Sequence, residues 1–103
     1  MTRPVLWSEA ALDELDKSMA YVAERSPAAA RKVLAEIRKT GDQLGVRAIG
    51  RPGRVMGTYE KSVTGRPYII AYTLAPLPAG GACVAILHVI RTARDGPRGL
   101  WPS

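Results

Sequence analysis

Apolar and polar positions follow one another in changing rhythms along this chain, and each rhythm marks an element. Arg3 to Trp7 is a short apolar run ending at Ser8. It reads as a first strand feeding a helix, because a serine hydroxyl caps the free N–H groups of a first turn and Glu9 lies where the helix dipole favours a carboxylate. From Ser8 to about Arg25, Leu12, Leu15, Met19 and Val22 recur at spacings of three and four, with Asp13, Glu14, Asp16, Lys17 and Glu24 largely off that stripe. This is the pattern of an amphipathic helix. Ser26-Pro27 restarts the pattern, since proline at a first helical position loses only a donor that has no partner there. The second helix carries Ala28, Ala29, Ala30, Val33, Leu34 and Ile37 toward Gly41 or Leu44. So tight a junction predicts an antiparallel helical hairpin.

Gly45 to Gly53 has no sustained period and reads as a loop that brings Arg47, Arg51 and Arg54 together. Arg54 to Val63 alternates as a strand does, and Thr64-Gly65 turns it into the next. Gly65 to Leu74 and Ala82 to Ile90 are runs of β-branched, aromatic and aliphatic residues separated by APLPAGG, the composition of an antiparallel hairpin. Tyr68, Ile70, Tyr72 and Leu74 fall on one face of the first run, and Ile69, Ala71 and Thr73 on the other. Neither face is polar, so the sheet needs two covers. The helical hairpin supplies one, and a partner is expected to supply the other. The order is β-α-α-β-β-β, an α+β domain over residues 1–103 with the helical hairpin on one face of a small, mainly antiparallel sheet. An irregular tail begins at about residue 95, because Gly96, Pro97, Gly99 and Pro102 forbid a long helix. Trp101 in that tail is expected to fold back onto the domain or to enter a partner.

Composition adds a charge asymmetry to this outline. The chain has 103 residues, a net charge of +6 and 47% hydrophobic residues, too apolar for a disordered chain. Up to Gln43 seven basic and seven acidic residues cancel, whereas from Leu44 onward eight basic residues face only Glu60 and Asp95. The second part is therefore built to meet something acidic: nucleic acid, ribosome or an acidic protein segment. A single cysteine, Cys83, cannot form an internal disulfide, and no run approaches the length that spans a bilayer. A cytoplasmic protein without a membrane role is expected.

The segment GRPGRVMGTYEKSVTGRPYIIAYTL followed by VAILHVIRTARDGP resembles the ParE branch of the RelE/ParE toxin superfamily. Its telling pieces are Gly50-Arg51-Pro52-Gly53-Arg54-Val55 with Gly57-Thr58, then Pro67-Tyr68-Ile69-Ile70 with Tyr72, then Ile86-Leu87 through Ala93-Arg94. The resemblance covers nearly the whole chain, including the opening strand and helical hairpin. It implies the toxin of a type II toxin-antitoxin pair, held inactive in a hetero-oligomer by a ParD-like antitoxin. ParE-branch members typically poison DNA gyrase, and RelE-branch members cleave messenger RNA on the ribosome. Contact with operator DNA, in such systems, comes through the antitoxin.

Residue chemistry separates these branches. Cleaving RNA through its 2′-hydroxyl needs a proton acceptor, a proton donor and cations around the phosphate. Arg54, Lys61, His88 and Arg91 are the candidates, but His88, the sole histidine, sits inside a strand and more simply serves structure. One Cys and one His cannot make a zinc site, and no glycine pattern cradles a phosphate, so no cofactor or metal is expected. A toxin that acts by binding is the first reading and a RelE-type mRNA endonuclease the second. Arg51, Arg54, Tyr59, Arg66, Arg91, Arg94 and Trp101 are the expected partner-binding residues, since the guanidinium fork pairs bidentately with carboxylates.

Overall fold

The computed structural model describes residues 2–92. Strand β1 (Val5–Trp7) leads into helix α1 (Glu9–Arg25), and α2 (Pro27–Gln43) follows directly. Four strands complete the fold: β2 (Arg51–Pro52), β3 (Tyr59–Ser62), β4 (Tyr68–Pro76) and β5 (Ala82–Arg91). They form one five-stranded sheet in the order β1-β5-β4-β3-β2. β1 runs parallel to β5 and every other neighbour is antiparallel. The α+β architecture and the order of elements are those expected, with β2 added where a loop was anticipated. Arg94 and Trp101 lie outside the described residues.

Both helices begin where a serine caps them. The Ser8 hydroxyl accepts the Ala11 N–H at 3.0 Å, and the Ser26 hydroxyl accepts that of Ala29 at 3.1 Å. The buried stripe of α1 is Ala11, Leu15 and Met19, and Leu12, expected in that stripe, is 38% exposed. Leu12 stands one residue, about 100°, round the helix from Ala11. In α2 the buried positions are Ala30, Val33, Ile37 and Gly41. These stripes meet Tyr68, Ile70 and Tyr72 of β4 and Val84, Ile86 and Val89 of β5 in a single core. Leu74, expected on the core face, is 39% exposed.

The other sheet face, expected to need a partner as its cover, is partly buried within the chain itself. Ile69, Ala71, Cys83 and Ile90 are each at most 9% exposed in the isolated chain. Ala71 and Cys83 are short side chains that their neighbours cover, so apolar character here leaves little bare surface. Among the described residues the most exposed large apolar side chains, Leu6, Val46, Ile49, Val55 and Met56, sit in loops and at the edge.

β5 carries a bulge. Ala71 pairs with His88 and Tyr72 with Ile86, which leaves Leu87 as the extra residue. Its carbonyl accepts the Ser8 hydroxyl at 3.0 Å, so the residue that caps α1 also satisfies the bulge. Beyond the bulge β5 outruns β1, whose last pair is Trp7 with Ile86. There Glu14 of α1 accepts the outward-facing Val89 N–H at 2.9 Å and approaches His88 Nδ1 at 3.0 Å. A carboxylate thus takes the place of a strand at that edge.

Trp7 fastens the first strand to the second helix. Its indole N–H donates to Asp42 at 3.2 Å, and Arg38 stacks over its ring at 4.9 Å. The ring lies against Gly41, where any Cβ would collide with it. Glycine inside a helix is normally a cost, so here close approach outweighs propensity. Gly41→Ala is expected to destabilise the chain by about 1–3 kcal/mol although alanine gains about 1 kcal/mol in intrinsic helix propensity. Urea unfolding of the single variant, and of Gly41→Ala with Trp7→Leu, measures this; the double variant should recover part of the loss.

Candidate functional site

The register places the charged candidates on opposite sides of the sheet. Lys61 pairs with Ile70 and Arg91 with Tyr68, so both belong to the face that carries the helices. Glu60 pairs with Ala71 and Arg51 with Glu60, on the opposite face. The strand expected from Arg54 to Val63 is formed only over Tyr59–Ser62. Gly57 takes a φ of +83° and the Arg54 N–H turns to the Glu60 carboxylate at 3.3 Å, so the chain from Gly53 to Thr58 leaves the sheet as a loop.

Glu60 organises that loop. Its side chain is only 3% exposed, and the Arg51 and Arg54 guanidinium groups each stand 3.7 Å from one of its oxygens. At that separation charge attracts without a direct hydrogen bond, so Glu60 does not use up the guanidinium N–H donors. Burying a carboxylate is costly unless cations compensate it, which explains why two arginines gather here. Nothing in the local sequence distinguishes Glu60 from a solvated strand acid. Its role follows from β2, which brings Arg51 opposite it.

The remaining arginines have separate partners. Arg66, in the β3–β4 turn, donates to Glu36 of α2 through Nε at 2.6 Å and through a terminal nitrogen at 3.3 Å. This hydrogen bond holds the Glu36 carboxyl below its usual range and raises the Arg66 guanidinium. Arg91 stacks over Tyr21 at 4.7 Å, and Arg25 stands 5.2 Å from the same ring. Tyr59 stacks on Tyr72 with ring centres 5.5 Å apart. Burial, then the neighbouring Tyr59, raises the Tyr72 hydroxyl above its ordinary value. The structure therefore brings Arg51 and Arg54 together, and places Arg66, Arg91 and Tyr59 in three other neighbourhoods.

A concave site lies beside the end of α2. Thr40, Leu44, Val46, Arg47, Ile49 and Lys61 line a groove of about 400 Å³ whose walls are mainly apolar. Val46 and Ile49 are 60% and 46% exposed along it. Among the described residues no three His, Cys, Asp or Glu side chains gather to hold a metal ion, and no helix is long and apolar enough to cross a membrane.

With this geometry in view, comparison with known proteins decides the family. The family model described as "ParE toxin of type II toxin-antitoxin system, parDE" matches residues 5–96. The chain belongs to the ParE toxin family. A relative named "Putative toxin Y4kP" from Sinorhizobium fredii (strain NBRC 101917 / NGR234) is 39% identical over 97 residues, covering 93% of this chain and 95% of the relative. The solved structure titled "Chromosomal ParDE TA system from P. aeruginosa" shares the fold at a TM-score of 0.75 and 23% identity, over 87% of this chain and 96% of that one.

Two measurements test the electrostatics of this ParE toxin. Replacing both cations, Arg51→Ala with Arg54→Ala, leaves a buried carboxylate and should cost about 3 kcal/mol or more, whereas Glu60→Gln should cost about 1 kcal/mol. Chemical denaturation of the two variants gives the order. Glu36 has a lowered pKa, so its pairing with Arg66 stabilises above the ordinary carboxylate range and fades as pH falls through the folded-state value. The stability gap between wild type and Arg66→Met should therefore be present at neutral pH and shrink toward zero in strong acid, as urea titrations across pH would register.

Proposed function

We propose that this ParE-family toxin acts in the cytoplasm by binding and inhibiting DNA gyrase, and that a ParD-like antitoxin holds it inactive in a hetero-oligomer. Family membership supports the target and the antitoxin. One geometric observation supports binding over catalysis. Arg54, Lys61, His88 and Arg91, the groups an RNA-cleaving site would draw on, are divided between the two sheet faces and engaged in different neighbourhoods. General acid–base work needs donor and acceptor within hydrogen-bond reach of one substrate atom. These four groups do not converge. Direct contact with operator DNA is left to the antitoxin, and the toxin acts without a cofactor.

The groove lined by Leu44, Val46, Arg47, Ile49 and Lys61 suits an amphipathic antitoxin segment, with apolar walls for its hydrophobic side and two cations for its acids. Expression without antitoxin should arrest growth within minutes, with loss of plasmid supercoiling or DNA breakage while messenger RNA stays intact. Rapid cleavage of messenger RNA at codon boundaries would instead establish the endonuclease and overturn the gyrase reading.

A further inference from the structure

The loop between β2 and β3 combines two properties that rarely occur together: it is tightly tethered, and it carries bare apolar side chains. Its base is closed by the Gly53 N–H to the Thr58 carbonyl at 2.8 Å and by the Thr58 N–H to the Val55 carbonyl at 3.1 Å. The Thr58 hydroxyl also donates to Val55, and the Thr73 hydroxyl of β4 donates to the Gly57 carbonyl at 2.8 Å. The buried Glu60 holds the Arg54 N–H from below. On this frame Met56 is 98% exposed and Val55 49% exposed. A loop kept only as a connection needs neither the tethers nor a fully exposed methionine.

Charge surrounds the tip. The Arg51 and Arg54 side chains are 65% and 30% exposed and lie 3.7 Å from Glu60. Among the described residues the two cations share this one carboxylate, so the tip presents an apolar point at a cationic base. Holding such a point rigid in the free protein removes the ordering cost that binding otherwise incurs.

We propose that the Arg54–Gly57 tip is the part of the toxin that enters its protein target, with Met56 filling an apolar pocket and Arg51 and Arg54 pairing with carboxylates on the pocket's rim. This rests on the reading that the chain acts by binding a protein. The occupant is a folded protein with a preformed, acid-rimmed pocket. A projecting knob needs a concavity, and a flexible antitoxin segment offers none before it folds. A nucleic-acid backbone would use the arginines but gains nothing from an exposed thioether. Methionine suits the role because its unbranched side chain adapts to an irregular pocket.

The test compares Met56→Asp with Met56→Leu. Met56 is almost wholly in solvent, so both variants should melt within about 2 °C of wild type. Induced without antitoxin, Met56→Asp should lose growth arrest by about tenfold or more in surviving cells, and Met56→Leu should stay close to wild type. With purified DNA gyrase, the concentration of Met56→Asp needed to block supercoiling should rise by a similar factor. Met56→Asp should still co-purify with the antitoxin that neutralises wild type. Undiminished arrest by Met56→Asp overturns the proposal, as does arrest that depends on Arg51 and Arg54 but not on Met56, which would indicate nucleic acid. Loss of antitoxin association would make the tip an antitoxin contact and overturn it too. Wild-type arrest without gyrase inhibition fails the gyrase reading alone, and the comparison of arrest between the variants then still decides the role of the tip.

Discussion

The antiparallel ladder between β4 and β5 is the constraint on which the remaining structure depends. It runs from the pair Tyr68–Arg91 to the pair Pro76–Ala82, with β1 attached to β5, β3 to β4, and β2 added outside β3. Slipping it by one residue would carry Tyr68, Ile70 and Tyr72 out of the core and bring Ile69, Ala71 and Thr73 in. The bulge at Leu87 preserves this arrangement, since it inserts a residue while keeping Ile86 and Val89 on the core side. Ser8 then joins the ladder to the helical layer by serving the α1 N-terminus and the bulge carbonyl together.

Much of this was legible from local rules. Serine caps, a proline at a first helical position and a glycine-rich connection between two apolar runs are signals that act over a few residues, and the structure follows each of them. What escaped depends on pairing at a distance. β2 is only Arg51–Pro52, and it exists because β3 lies beside it. β3 starts later than the alternation predicts, because Arg54 to Thr58 alternate like a strand whereas Gly57 and the pull of Glu60 on the Arg54 N–H bend them away. Burial of the second sheet face was likewise hidden, because apolar composition does not reveal how far Ala71 and Cys83 are covered by their neighbours.

The candidate site was legible in kind and less so in arrangement. The basic excess of the second part points to an acidic partner, but the spacing of arginines along the chain says little about which ones share a surface. Arg66 turns to α2 and Arg91 to the Tyr21 ring, while Arg51 and Arg54 converge on one buried acid. Glu60 is thus an internal counterion that fixes the approach of two cations and the path of the loop between them.

Glu14 has a further consequence for how copies of this chain behave at high concentration. By occupying the Val89 N–H just where β1 ends, it blocks the position from which a second molecule's backbone would begin to extend the sheet. An incoming strand would have to strip a charged group from that donor and leave it without its partner. Self-association into an edge-to-edge stack is disfavoured there, and the sheet is terminated by chemistry rather than by length.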